Sequence, residues 1–138
     1  MRDLFNNITV ARAIAPVSVS DNTAQVGQVI DRQGFSSLTF VINAGSLADA
    51  DATFAVLVEH GDAANLSDAA TTAAGDLLGT AALAGFTFAD DNATRKIGYK
   101  GTKRYVRLTI TPANNASAAL FGALAILGHA QLAPTSNP

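Results

Sequence analysis

From Ser37 to Gly61 the chain alternates twice between apolar and polar positions. Leu38, Phe40 and Ile42 interleave with Thr39, Val41 and Asn43. After a connection from Ala44 to Asp51 that carries Gly45, Asp49 and Asp51, Phe54, Val56 and Val58 interleave with Ala55, Leu57 and Glu59. A period of two in β-branched and aromatic residues predicts strands, and their adjacency predicts an antiparallel pair. Each has one apolar face, so the pair needs a second layer to cover it.

The rest of the chain supplies material for that layer. Tyr105 to Thr111 is the clearest single strand, with Val106, Leu108 and Ile110 on one face and Tyr105, Arg107, Thr109 and Thr111 on the other. Ala118 to Gly128 is a continuous apolar run. Hydrophobicity alone allows a buried helix, but Gly122 and Gly128 weaken one and Tyr105 to Thr111 needs a partner, so the run reads as a strand beside it. Asn6 to Val19 reads as an edge strand, as two short strands broken at Pro16, or as an ordered arm, because proline cannot donate a ladder hydrogen bond. Thr23 to Ile30 reads as a strand in which Gly27 marks a bulge or a close backbone approach. Phe86 and Phe88 share one face of a further strand, and Arg95 to Tyr99 leads into a turn at Lys100 to Thr102.

Gly61 to Gly85 is small, polar and Ala-rich, which predicts a long surface excursion. Ser67 is placed to cap a helical turn over Asp68 to Ala74, with Asp76 to Thr80 extended after it. The whole is an all-β domain, a jelly roll or β-sandwich of about eight short antiparallel strands. It spans residues 1–138 as one domain, with an N-terminal arm (about 1–20) and a flexible C-terminal tail (about 132–138).

Composition narrows the function. Hydrophobic residues make up 49% of the chain, much of it Ala, and only 14% of residues are charged, against roughly a quarter in typical domains. A surface so poor in charge fits partial coverage by an assembly partner. A net charge of -2 gives no general drive toward nucleic acid. No cysteine is present, which removes disulfides, thiolate nucleophiles and most structural zinc sites. No stretch reaches the ~18 to 20 apolar residues that span a bilayer, so no membrane is expected. Asp3, Asn6 and Asn7 sit where a signal peptide would need an apolar core.

The most specific chemical feature is positive charge. Six of the nine Lys and Arg residues lie between Arg95 and Arg107: Arg95, Lys96, Lys100, Lys103, Arg104 and Arg107. They describe a basic hairpin on a slightly acidic protein. One reading is docking onto an acidic protein surface; another is a solvated strand pair guarded by Lys and Arg against edge pairing. Tyr99 and Tyr105 are the only aromatics interleaved with the cations and no nucleic-acid motif accompanies them, so no nucleic-acid partner is expected. Asp49 with Asp51, and Asp90 with Asp91, lie in loops without a dedicated calcium spacing and read as turn formers. His60 and His129 end strands. There is no Gly-x-Ser-x-Gly turn, GxGxxG or phosphate loop. Nothing marks an enzyme or a cofactor site.

The succession GFSSLTFVINAG, DADATFAVLVEHGD, DLLG and RKIGYKGTKRYVRLTIT, over Gly34 to Thr111, resembles the jelly-roll cement, or decoration, proteins of tailed bacteriophages, such as that of a Bordetella podovirus. The resemblance implies a structural protein on the exterior of the virion. It would bind the outside of an HK97-type capsid and stabilise it by bridging major capsid subunits, as a homodimer. The six cations and the N-terminal arm would then meet the capsid, and an apolar face would make the dimer. The alternative is a recognition module for a host-surface glycan or receptor, for which a chain with no Trp and two Tyr is poorly equipped.

Overall fold

A computed structural model describes residues 2–136. It contains eleven strands, six long and five of two residues. The long ones are β1 (Thr9–Val19), β4 (Phe35–Leu47), β5 (Thr53–Gly61), β9 (Thr94–Tyr99), β10 (Tyr105–Ala113) and β11 (Ala119–Ala130). The short ones are β2 (Gln25–Val26), β3 (Ile30–Asp31), β6 (Ala70–Thr71), β7 (Leu77–Leu78) and β8 (Phe86–Thr87). One sheet runs β1-β11-β4-β9-β7; the other runs β2-β10-β5-β6, with β3 also on β10 and β8 also on β5. Counting β2 with β3 as one interrupted strand and β6 with β8 as another leaves two four-stranded layers, with β7 added at the end of the first. Every connection between strand positions except β5 to β6 crosses between layers. That is the winding of a jelly roll, closed by two sheets packed face to face.

The predicted faces hold. Leu38, Phe40 and Ile42 of β4, Phe54, Val56 and Val58 of β5, and Val106, Leu108 and Ile110 of β10 are all buried. They meet Phe121, Ala123, Ala125 and Leu127 of β11 between the layers, each large side chain contributing about 1.5–3 kcal/mol of burial.

The predicted pairings do not hold. β4 and β5 lie in opposite sheets: β4 pairs with β11 and β9, and β5 with β10. Ala48 to Ala52 carries the chain from one layer to the other. Likewise β11 pairs with β1 and β4, not with β10. A period of two states which face is buried. In a sandwich both layers turn that face inward, so the pattern is the same whether two strands pair or stack.

β1 is an edge strand, continuous across Pro16 but with its register shifted between Arg12 and Ile14 and between Ile14 and Val17. The seam between β1 and β10 is closed by the segment from β2 to β3. Gly27 N–H donates to Leu108 O and Gln28 N–H to Ala13 O, both at 2.8 Å. A Cβ on Gly27 would lie 2.4 Å from Leu108 O and 2.8 Å from Ala13 O, so this is the close approach that its glycine foretells. The opposite seam holds α1 (Ala81–Ala84), packed between β5 and β9. Thr80, not Ser67, is the cap: its hydroxyl accepts from Leu83 N–H at 3.1 Å, ahead of a run of good helix formers, whereas Thr71 lies in β6. Asp76 to Thr80 contains β7, as predicted. Phe86 is buried, stacked on Phe54 at 4.7 Å with Phe121 edge-on to both, but Phe88 lies in a short 3-10 turn and is exposed. In the tail, Thr135 N–H donates to Asn6 O and Thr135 Oγ1 to Ile8 O; the part of the predicted tail at 137–138 lies outside the described residues.

Candidate docking surfaces

The six cations between Arg95 and Arg107 do not form a hairpin, because β9 and β10 belong to different sheets. Four of them are paired within the chain. Arg95 Nη2 meets Asp90 Oδ1 at 2.5 Å and Lys103 Nζ meets Asp62 Oδ2 at 2.5 Å. Arg104 holds Asp31 through two hydrogen bonds of 2.9 Å. Arg107 Nη2 reaches both oxygens of Glu59 at 3.3 Å across the β10–β5 ladder. The pairs shift the groups that they join. The Arg104 hydrogen bond holds the Asp31 carboxyl below its usual range, and the Asp62 carboxylate raises Lys103. Asp90 is lowered chiefly by the Thr87 N–H, with Arg95 adding to it. Among the described residues, Lys96 and Lys100 make no ion pair.

The loop from Lys100 to Arg104 is fastened from beneath. Tyr99 is buried at its foot, and burial raises its phenol. The hydroxyl accepts from Lys103 N–H at 3.1 Å and bonds His60 Nδ1 at 2.8 Å. The Arg32 guanidinium lies over the Tyr99 ring at 5.1 Å and donates to Gly101 O at 2.7 Å and Lys103 O at 2.6 Å. His60 thus belongs to the packing that joins the two sheets at this end. His129 is exposed and bonds Ser37 Oγ at 2.9 Å.

The acidic loops are internal caps. Asp49 accepts from Asp51 N–H and Ala116 N–H, Asp90 from Thr87 N–H, and Asp91 from Leu47 N–H. No group of three or more metal-ligating side chains forms among the described residues. No helix among them is long and apolar enough to cross a membrane.

The outer face of the five-stranded sheet is a different kind of surface. Its outward strand positions include Val10, Arg12 and Ser18 on β1, Leu120, Gly122, Leu124, Ile126 and Gly128 on β11, Ser37, Thr39, Val41, Asn43 and Gly45 on β4, Thr94, Lys96 and Gly98 on β9, and Leu78 on β7. None is acidic. Val10, Leu120, Leu124 and Leu78 are among the exposed large apolar side chains. A groove of about 480 Å³ opens here, lined by Pro16, Val17, Val41, Leu120 and Leu124, with Gly122 and Gly45 also lining it. A side chain at Gly122 would be crowded: a Cβ there would lie 3.2 Å from the Pro16 backbone, where β1 is irregular. Of the six predicted contact cations only Lys96 stands on this face, together with Val10, Arg12 and Ser18 from the predicted N-terminal arm.

The sequence contained a signal for this face. The outward positions of β11, namely Leu120, Leu124 and Ile126, are as apolar as its inward ones, and a strand apolar on both faces is normally covered on both.

No family model matches the chain, and no curated protein matches it. Among solved structures, the fold is similar to that of the PBSX exported protein XepA, with a TM-score of 0.59 and 16% identity over 94% of this chain; the chain spans 40% of that protein's length. A fainter likeness, with a TM-score of 0.42 and 11% identity, covers 96% of this chain and 28% of the N-terminal modules of the Clostridium thermocellum endo-1,4-β-D-xylanase 10B complexed with xylohexaose. The first of these likenesses shows a shared β fold, and the second is too distant to bear on function.

Proposed function

We propose that the chain is a non-enzymatic structural protein of a tailed-bacteriophage virion. In this reading it binds the outside of an HK97-type capsid and stabilises the shell by bridging major capsid subunits. One observation carries it most: the outer face of the five-stranded sheet presents aliphatic side chains on a rigid platform with no carboxylate among its strand positions. Exposed apolar patches of this kind mark protein docking. The resemblance over Gly34 to Thr111 and the jelly-roll winding support the same reading.

The mechanism needs no chemistry. A protein that binds the assembled shell and not its dissociated subunits stabilises the shell by mass action. A two-fold dimer would offer two docking faces, and engagement of both would multiply affinity. Nucleic acid and membrane have no part in it. The contact falls to the face that bears Lys96. Arg95, Lys103, Arg104 and Arg107 serve first as internal partners of Asp90, Asp62, Asp31 and Glu59. The alternative, glycan recognition, finds no aromatic stacking platform among the outward positions of that face named above.

The test is co-sedimentation of the purified chain with capsid shells stripped of accessory proteins, at low and high salt. Saturable binding that raises the melting temperature of the shell is expected. Absence of binding at low salt overturns the capsid reading.

A further inference from the structure

We propose that the line of residues Arg12, Leu124, Val41 and Lys96 is a docking site for one kind of segment: an acidic, aliphatic stretch of a partner protein that presents a carboxylate on either side of an apolar side chain. The proposal rests on the capsid-binding reading for where that segment comes from, and on the face alone for its chemistry.

The register sets the geometry. Arg12 is opposite Leu124 on the β1–β11 ladder, Leu124 is opposite Val41 on β11–β4, and Val41 is opposite Lys96 on β4–β9. The four side chains form a line across the sheet: cation, aliphatic, aliphatic, cation. Three strand spacings separate the two cations, about 14 Å. In an extended segment, positions i, i+2 and i+4 point the same way and span about the same 14 Å. A carboxylate, an aliphatic side chain and a second carboxylate at those positions match the line. The groove beside Leu124 receives the aliphatic side chain.

Both charges are uncompensated. Lys96 has no ion pair among the described residues, and neither has Arg12. In the amide orientation that satisfies both residues, Gln28 donates to Arg12 O at 3.0 Å and accepts from its guanidinium at 2.9 Å, a neutral partner that positions the charge without cancelling it. The remainder of the protein is net acidic, so this face is opposite in sign to its surroundings and steers acidic partners to it.

The same charges argue against a second copy as occupant. A two-fold self-pairing along this line sets Arg12 or Lys96 against another cation, with no carboxylate on the face to relieve it. The dimer contact therefore lies elsewhere. A nucleic-acid strand is also a poor match, because the centre of the line is aliphatic and offers no ring for a base to stack on.

The test compares the wild-type chain, the double variant Arg12→Glu with Lys96→Glu, and Thr111→Glu, which adds a carboxylate to the exposed outer side of β10 in the other sheet. All three are assayed on stripped capsid shells across a salt series. The double variant should lose roughly tenfold or more in affinity and most of its salt dependence, with an unchanged melting temperature, while Thr111→Glu stays within about twofold. Equal binding by the double variant overturns the site and leaves the capsid reading standing. Failure of the wild type to bind shells overturns the capsid reading instead, and a second arm then decides the site. In that arm the peptide acetyl-Glu-Ser-Leu-Ser-Glu-amide is titrated into labelled protein. Saturable amide shifts at Arg12, Val41, Lys96 and Leu124, absent with the Lys-for-Glu peptide, support the proposal. No shifts, equal shifts with the basic peptide, stronger shifts with a single-stranded oligonucleotide, or a wild-type dimer abolished by Leu124→Glu would each overturn it.

Discussion

The two outer faces of the sandwich are made from similar strands and carry opposite kinds of surface. On β10 and β5 the outward positions include Arg107 and Glu59, which neutralise each other while mostly buried, beside Thr109, Thr111 and Ala55. On β11, β4 and β9 they include Leu120, Leu124, Val41 and Lys96, aliphatic and without a counter-charge. The first face cancels its own charges; the second leaves its charges without a counter-ion. The comparison shows that charge density along a sequence is a poor guide to free charge on a surface. Six cations within thirteen residues look like a docking patch, yet four are spent on Asp90, Asp62, Asp31 and Glu59. The face with most left to offer another protein has only two cations, from segments 84 residues apart.

Both faces depend on the seam at Gly27, and breaking it should have the largest effect. In Gly27→Ala the new methyl meets two backbone carbonyls, neither of which can swing aside. The β2–β3 segment must lift from β1 or from β10, at a cost of about 3 kcal/mol. Urea unfolding should show it, and hydrogen exchange should place the loss at Gly27 and Gln28, whose N–H groups bridge the sheets.

Next comes the ion pair on the β10–β5 face. Glu59→Gln leaves a mostly buried guanidinium whose Nε already lacks a partner. The expected loss is about 2 kcal/mol in the same urea assay. Lys96→Gln on the other face should fall within about 0.5 kcal/mol, because that charge has no partner to lose. If Lys96→Gln proved as costly as Glu59→Gln, Lys96 would be structural and the contrast between the faces would fail.

A smaller effect on folding, with a clear effect on surface, is expected from Leu124→Ser. The side chain is about half exposed (49%), so stability should change by about 0.5 kcal/mol or less. Retention on a hydrophobic-interaction column should nonetheless shorten, whereas Thr111→Ser on the opposite face should leave it unchanged.

The residues show why some of this was legible and some was not. Alternation in β4, β5 and β10 correctly places Leu38, Phe40, Ile42, Phe54, Val56, Val58, Val106, Leu108 and Ile110 inward, because burial on one face writes a period of two directly into the chain, but it misses Ala44 and Leu47 at the end of β4, which read as loop. Gly27 foretells a close approach because only glycine fits one. Pairing partners are not written that way: β4 and β5 look like a hairpin because stacked strands and paired strands bury the same face. The docking face was partly legible in β11, whose outward Leu120, Leu124 and Ile126 have no reason to be apolar if they face only water. The arm that carries Arg12 reads as a contact segment, but nothing local to Arg12 indicates that Lys96 completes its line. The Tyr99–His60 link and the anchoring of Arg32 are likewise long-range contacts with no local pattern.

The finest distinction between the faces is their response to acid. Asp68 sits in the loop after β5, where its carboxylate accepts from Asp62 N–H at 2.8 Å and Ala63 N–H at 3.1 Å. Gly61 makes room for it: a Cβ there would lie 2.4 Å from the carboxylate. The two N–H groups, Asp62 first, hold the carboxyl below its usual range. A carboxyl lowered in the folded state contributes stability that is fully present above its unfolded pKa of about 4 and is lost as pH falls through the folded value. In Asp68→Asn one N–H loses its acceptor, so the variant should melt slightly below the wild type at neutral pH. That gap should stay constant down to about pH 4 and then close, as the wild-type carboxyl takes up its proton. The variant pair Arg12→Gln with Lys96→Gln should show no such closing, because no carboxylate on its face titrates against those charges. Melting curves from neutral to acid pH on these chains measure both. A gap that closes for the cation pair as well would mean that a carboxylate compensates that face after all.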